Sequence, residues 1–175
     1  GVNSVFVADM DNDGDLDIVS SASDNNDGIT WYENNGAADP SFTASDIGNS
    51  NLYTLSVFVA DMDNDGDMDI VSASADDDAI AWYENTTAPP GTPTFAAADI
   101  STSVSNASSV HTADMDNDGD LDIVAAAEGS GIIYWLENDG AADPSFSLET
   151  VSHSIHGVLD VFPIDLDQDG DMDIV

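Results

Sequence analysis

Hydrophobic and polar residues alternate along most of this chain with a period of two, which predicts β-strands. The run Val5-Phe6-Val7-Ala8 returns as Val57-Phe58-Val59-Ala60, Val110-His111-Thr112-Ala113 and Val161-Phe162-Pro163-Ile164. Shortly after each run, Leu16 and Ile18 share a face, as do Met68 and Ile70, Leu121 and Ile123, and Met172 and Ile174. A further stretch sets Ile29, Trp31 and Glu33 against Thr30, Tyr32 and Asn34. No window carries a helical stripe, and Asn-Gly, Asp-Gly, Asp-Pro and Ala-Pro-Pro-Gly separate the runs as turns.

The alternation sits inside a longer repeat. An Asp-rich phrase occurs four times, at Asp9 to Val19, Asp61 to Val71, Asp114 to Val124 and Asp165 to Val175, with starts 52, 53 and 51 residues apart. Between copies come Ile29-Thr-Trp31-Tyr-Glu-Asn34, Ile80-Ala-Trp82-Tyr-Glu-Asn85 and Ile133-Tyr-Trp135-Leu-Glu-Asn138. Pro40-Ser-Phe42, Pro93-Thr-Phe95 and Pro144-Ser-Phe146 follow, leading to Ile47, Ile100 and Val151. Each unit reads as strand, Asp loop, strand, turn, Trp strand, turn, fourth strand. Four short antiparallel strands in about fifty residues is the size of one β-propeller blade. The predicted fold is all-β, one repeat domain spanning 1–175, with repeats at 1–52, 53–105 and 106–156 and a partial fourth at 157–175. Three blades and a fraction make an incomplete or open propeller.

Charge narrows the function. The 175 residues include 36 acidic ones and neither Lys nor Arg, a formal net charge of −36, where roughly twenty basic residues would be usual. Nothing neutralises phosphates, so nucleic acid is excluded, and an anionic membrane surface would repel the chain. No apolar stretch is long enough to span a bilayer as a helix. With neither Cys nor Lys, disulfides and Lys–Asn cross-links are impossible, and any staple must be metal. The start at Gly1, without Met, is expected of a processed or excerpted product.

The Asp loops follow Asp-x-Asp-x-Asp-Gly-x-x-Asp. Calcium takes six to eight oxygen ligands at flexible distances. In a tight loop, alternate residues turn inward, so positions one, three and five present carboxylates to one point. Gly14, Gly66, Gly119 and Gly170 supply the turn at position six, the carbonyl at position seven adds an oxygen, and the Asp at position nine completes the shell. Two carboxylates about 5 Å apart repel by roughly 3 kcal/mol at an effective dielectric near 20, and a divalent cation reverses that cost. An acidic Asx turn is the alternative, but four copies in one register favour metal. The loops are not EF-hands, because Ser20, Ser72 and Ala125 stand where a bidentate Glu is required and strands flank them.

The loop between strands, the Trp-Tyr-Glu-Asn phrase and the Phe-containing strand resemble FG-GAP/VCBS repeats, found in the propeller of integrin α chains and in bacterial secreted proteins. The resemblance covers nearly the whole chain. The Phe-Gly and Gly-Ala-Pro segments behind the family's name are missing, which places the chain nearer the bacterial variants. It implies one calcium ion per loop, up to four in all. The implied ligands are Asp9, Asp11, Asp13 and Asp17 with the Asp15 carbonyl; Asp61, Asp63, Asp65 and Asp69 with Asp67; Asp114, Asp116, Asp118 and Asp122 with Asp120; and Asp165, Asp167, Asp169 and Asp173 with Asp171.

Other residues have plainer readings. Trp31, Trp82 and Trp135 recur with Ile on one face and read as packing, the alternative being sugar platforms. His111 takes the Phe6/Phe58 position as a strand residue, and His153 and His156 form a His-x-x-His pair without a third zinc ligand. Asn85 and Asn106 head N-glycosylation sequons expected in exposed turns. No nucleophile–base pair is visible, so no catalytic residues and no enzyme activity are expected. The expected function is a secreted or cell-surface calcium-binding structural or adhesion module of a matrix, surface layer or filament, its partners being other copies or further repeats of a longer chain. The alternative is a carbohydrate-binding module of a polysaccharide-active protein, with glycans as partner.

Overall fold

The computed structural model describes residues 1–23, 28–48, 53–87, 90–153, 155 and 157–175. Among these there is no helix, and the fold is all-β. The first sheet contains β1 (Val2–Ala8), β2 (Asp17–Ala22), β3 (Ile29–Asn34) and β4 (Phe42–Asp46), and the second β5 (Thr54–Ala60), β6 (Asp69–Ser74), β7 (Ala79–Asn85) and β8 (Phe95–Ser101). The third contains β9 (Ala107–Ala113), β10 (Asp122–Ala127), β11 (Ile132–Asn138) and β12 (Phe146–Ser152). A final pair, β13 (Pro163–Ile164) and β14 (Asp173–Ile174), starts a fourth. Each sheet is an antiparallel meander in sequence order. Corresponding residues share register: Val19 pairs with Trp31, Val71 with Trp82 and Val124 with Trp135.

The sheets stack face to face as an open set of propeller-like blades, with no closed barrel. Alternation decides which neighbour a side chain meets. In the second blade, Val71, Ile80 and Trp82 pack against Val110, Ile123 and Leu136 of the third and against Val104 in the connection between them. The alternate residues Val57, Val59, Ile70 and Tyr83 pack backwards against Met10, Val19, Ile29 and Trp31 of the first. Val124 and Ala126 of the third blade meet Val158 and Val161 beside the final pair. Covered on both faces, β6 and β10 are buried at every residue, whereas β4 is exposed throughout. The inner strands β1, β5 and β9 lie side by side, and an aromatic row runs across them from Phe6 to Phe58, His111 and Phe162, at ring separations of 4.7, 5.2 and 5.3 Å. This stacking carries all four Asp loops on one end of the array.

Candidate metal centres

Each Asp loop connects the first two strands of its blade and is folded by its own carboxylates. In the first loop the Asp13 N–H donates to Asp9 Oδ1 at 3.1 Å and Asp11 Oδ1 at 3.2 Å, the Gly14 N–H to Asp9 Oδ2 at 3.0 Å, and the Asp15 N–H to Asp13 Oδ1 at 2.9 Å. The second and third loops repeat all four bonds, and the fourth repeats those to Asp165 and Asp169. The turn needs the left-handed backbone at two places. Position six is glycine, with φ between 96 and 101° in the four loops, which a side chain tolerates poorly. Position four is Asn12, Asn64, Asn117 or Gln168, with φ of 57, 59, 62 and 64°; Asn adopts this region more readily than most residues.

The Asp at position nine ties the loop to the Trp strand. Asp69 accepts the Met62 N–H at 3.1 Å and the Asn85 N–H at 2.8 Å; Asp17 and Asp122 make the equivalent pairs of bonds. Asp69 is 1% exposed, and burial pushes its carboxyl up to about 7 against the opposing pull of those N–H groups. Burial also raises Asp122. The Trp82 and Trp135 indole N–H groups lie close enough to these carboxylates to oppose the shift, yet fall short of hydrogen-bond geometry.

In every loop, three carboxylate oxygens converge to within 4.8 Å of one another: Asp9, Asp11 and Asp13; Asp61, Asp63 and Asp69; Asp114, Asp116 and Asp118; Asp165, Asp167 and Asp173. Positions one and three belong to every cluster. Position five joins them in the first and third loops and position nine in the second and fourth. Burial first, and neighbouring loop carboxylates next, raise Asp11 and Asp63 above the usual carboxylate range. Oxygen-only donors at this spacing suit a hard divalent cation, since calcium–oxygen distances of about 2.3–2.6 Å put ligands on opposite sides of one ion about 5 Å apart. Among the described residues no His joins a cluster, which disfavours zinc and copper.

The carboxylates of Asp15, Asp67, Asp120 and Asp171 at position seven belong to none of these clusters. Any Cβ at Gly36 or Gly140 would strike the Asp15 or Asp120 carboxylate, so those carboxylates lie over the turns after the Trp strands. Asp67, Asp120 and Asp171 accept from the position-four Asn of the preceding loop: Asn12 at 3.0 Å, Asn64 at 2.9 Å and Asn117 at 3.1 Å. A second set of cross-blade bonds runs from Asn85 Nδ2 to the Met10 carbonyl at 3.3 Å and from Asn138 Nδ2 to the Met62 carbonyl at 3.0 Å. Both Asn positions recur in the repeat; only their partners, a blade away, were hidden.

Outside the loops, the exposed turn expected around Asn85 is not found. Asn85 is 3% exposed, its Nδ2 is held by the Met10 carbonyl, and its Oδ1 accepts the Thr87 N–H at 3.2 Å. An amide held between blades lacks the exposure expected of a glycan acceptor. Asn106 is half-buried in the turn before β9, its Nδ2 donating to Glu128 Oε2 at 3.0 Å. Trp31 and Trp82 are packed in the interfaces between blades, and Trp135 is half-buried. His111 Nε2 sits 3.6 Å from Asp160 Oδ1, between the Phe58 and Phe162 rings. His153 is exposed, and its partner His156 lies outside the described residues.

A family profile described as FG-GAP-like repeat matches residues 9–72, 69–125 and 114–175. No curated protein sequence matches the chain significantly.

Proposed function

Because the chain belongs to the FG-GAP-like repeat family, we propose that it is a calcium-stiffened structural or adhesion module that works outside the cell. Repeats of this family are typical of extracellular, adhesion-type domains, and no helix among the described residues is long and apolar enough to cross a membrane. The observation that carries the calcium reading is the convergence of three Asp oxygens within 4.8 Å in all four loops. Positions one, three, five and nine would hold the ion, and position seven, its carboxylate engaged elsewhere, would offer its carbonyl. A bound calcium ion supplies the positive charge that the loops otherwise lack. The chain's own groups do the remaining work: backbone N–H donors orient the carboxylates, and the position-nine Asp transmits loop order to the Trp strand.

No catalytic role is proposed. Burial of Trp31 and Trp82 removes two of the three platforms on which a sugar-binding reading rested. The proposed partners are other copies or further repeats of the same kind. Val5 and Val7, 57% and 52% exposed, occupy the positions at which Val57 and Val59 are buried by the preceding blade. Leu166 and Val175, 65% and 60% exposed, correspond to the buried Met10 and Val19.

Elemental analysis of protein dialysed against calcium should find two or more ions per chain, and excess chelator should lower the melting temperature. Each site filled at a hundred times its Kd adds about 2.7 kcal/mol. Metal-free protein with a chelator-insensitive melt would sink the reading.

A further inference from the structure

The three bonds from a position-four Asn to the next loop's position-seven Asp join every consecutive pair of loops, at 3.0, 2.9 and 3.1 Å. Both ends are flanked by the residues proposed to hold metal. Asn64 lies between Asp63 and Asp65, and its target Asp120 lies between Asp118 and Asp122. In each case the donor residue has a left-handed backbone, so its amide points at the neighbour only when its own loop is wound. We infer that these Asn residues couple the loops, so that filling one loop raises the calcium affinity of the next. The inference rests on the calcium reading above.

The physical basis is ordering. Fixing each loop residue costs about 1–2 kcal/mol of backbone entropy. A wound loop presents its Asn and holds the next loop's position-seven residue in place, so less ordering is left for the second ion to impose. The link is reciprocal: filling the later loop must favour the earlier one by the same factor. A single net hydrogen bond sets the scale at about fivefold in affinity. The Asn residues are positioning residues, since they touch a neighbouring loop and not the ion.

The test is a double-mutant cycle on the whole chain. Loop 2 is disabled by Asp61→Asn with Asp63→Asn, and calcium binding at loop 3 is followed by NMR through the Gly119 amide. With Asn64 in place, disabling loop 2 should weaken loop 3 about fivefold. In an Asn64→Gly background, which keeps the left-handed turn, disabling loop 2 should leave loop 3 unchanged. A merely structural bond would make Asn64→Gly equally damaging with and without calcium and would leave the cycle flat. Should Asn64→Gly fail to fold, Asn117→Gly with loop 3 disabled and the Gly170 amide as reporter decides by the same criterion. A flat cycle in a chain that binds calcium overturns the coupling alone; no calcium uptake by the unmodified chain overturns the coupling together with the calcium reading.

Discussion

Loop 2 and loop 4 are nearly the same nonapeptide in two different settings. Their internal bonds agree closely: the Gly66 and Gly170 N–H groups reach Asp61 and Asp165 at 3.0 and 3.1 Å, and the Met62 and Leu166 N–H groups reach Asp69 and Asp173 at 3.1 and 3.0 Å. Around loop 2 stand a complete blade and a neighbour on either side. Asp69 is buried, receives a second N–H from Asn85, and has its carboxyl raised to about 7. Among the described residues, loop 4 has the two-stranded β13–β14 sheet and the third blade on one side, and Asp173 is exposed. The nine residues wind the loop by themselves, whereas the stacked blades decide how hard its charges are squeezed and how firmly it grips the fold.

If stacking is what distinguishes the two settings, the largest effect should come from cutting into a full blade interface. Trp82 packs between the second and third blades, its ring 6.5 Å from Phe146, and Trp82→Ala should cost about 3–5 kcal/mol. Trp135, half-buried facing the fourth unit, should cost clearly less as Trp135→Ala. Denaturant unfolding of both variants checks this, and equal losses would break the comparison.

The loops themselves give the next effect. In saturating calcium, Asp61→Asn with Asp63→Asn should remove about 3 kcal/mol, roughly 6–12 °C in melting temperature for a chain of this size. Asp165→Asn with Asp167→Asn should move the melt by no more than a third of that, because the short two-stranded β13–β14 sheet passes little of loop 4's stability to the blades. Calorimetric scans that show equal shifts would mean that stability flows along the array regardless of packing.

Acidity separates the settings without a mutation. Asp69 is raised in the folded chain, so between its ordinary value near 4 and its folded value near 7 the folded state holds more protons than the unfolded one. Stability in chelator should therefore be fully present below about pH 4 and fall as pH rises towards 7, seen as a falling melting temperature. The raised Asp122 works in the same direction. Calcium, which favours the ionised carboxylates, should reverse the slope. A chelated melt that rises between pH 4 and 7 would contradict the burial of Asp69.

The division between local and stacked features also explains what the sequence made legible. Strands, turns and loops were readable because their determinants lie within a few residues: Val5 to Ala8 alternates, Gly14 turns, and Asp9 collects its own loop's N–H groups. The alternation at Ile80 and Trp82 against Ala81 and Tyr83 separated two faces but could not say that both would be buried, each by a different blade. Position-seven Asp residues were expected to offer a backbone carbonyl, but where their carboxylates go is revealed only by an Asn some fifty residues earlier. The burial of Asn85 was hidden for the same reason, because the carbonyl that holds it belongs to Met10, 75 residues away.

Asn85 thus supplies the smallest expected effect, in fact none. Two sequons, Asn85-Thr86-Thr87 and Asn106-Ala107-Ser108, differ in the way the two loops do, one held between blades and one in a turn. Transfer of a glycan needs a free amide nitrogen and room for a bulky sugar. The Asn85 nitrogen donates to the Met10 carbonyl inside the first interface, and its side chain is 3% exposed. The Asn106 side-chain nitrogen donates to the exposed Glu128 carboxylate, a bond that water replaces at little cost. Expression in a host that glycosylates Asn, followed by peptide mass mapping, should find the Asn85 peptide unmodified and any glycan confined to Asn106. A glycan on Asn85 in protein that still melts cooperatively would show that the first and second blades part far enough to admit it, and that the interface drawn between them is not the resting state.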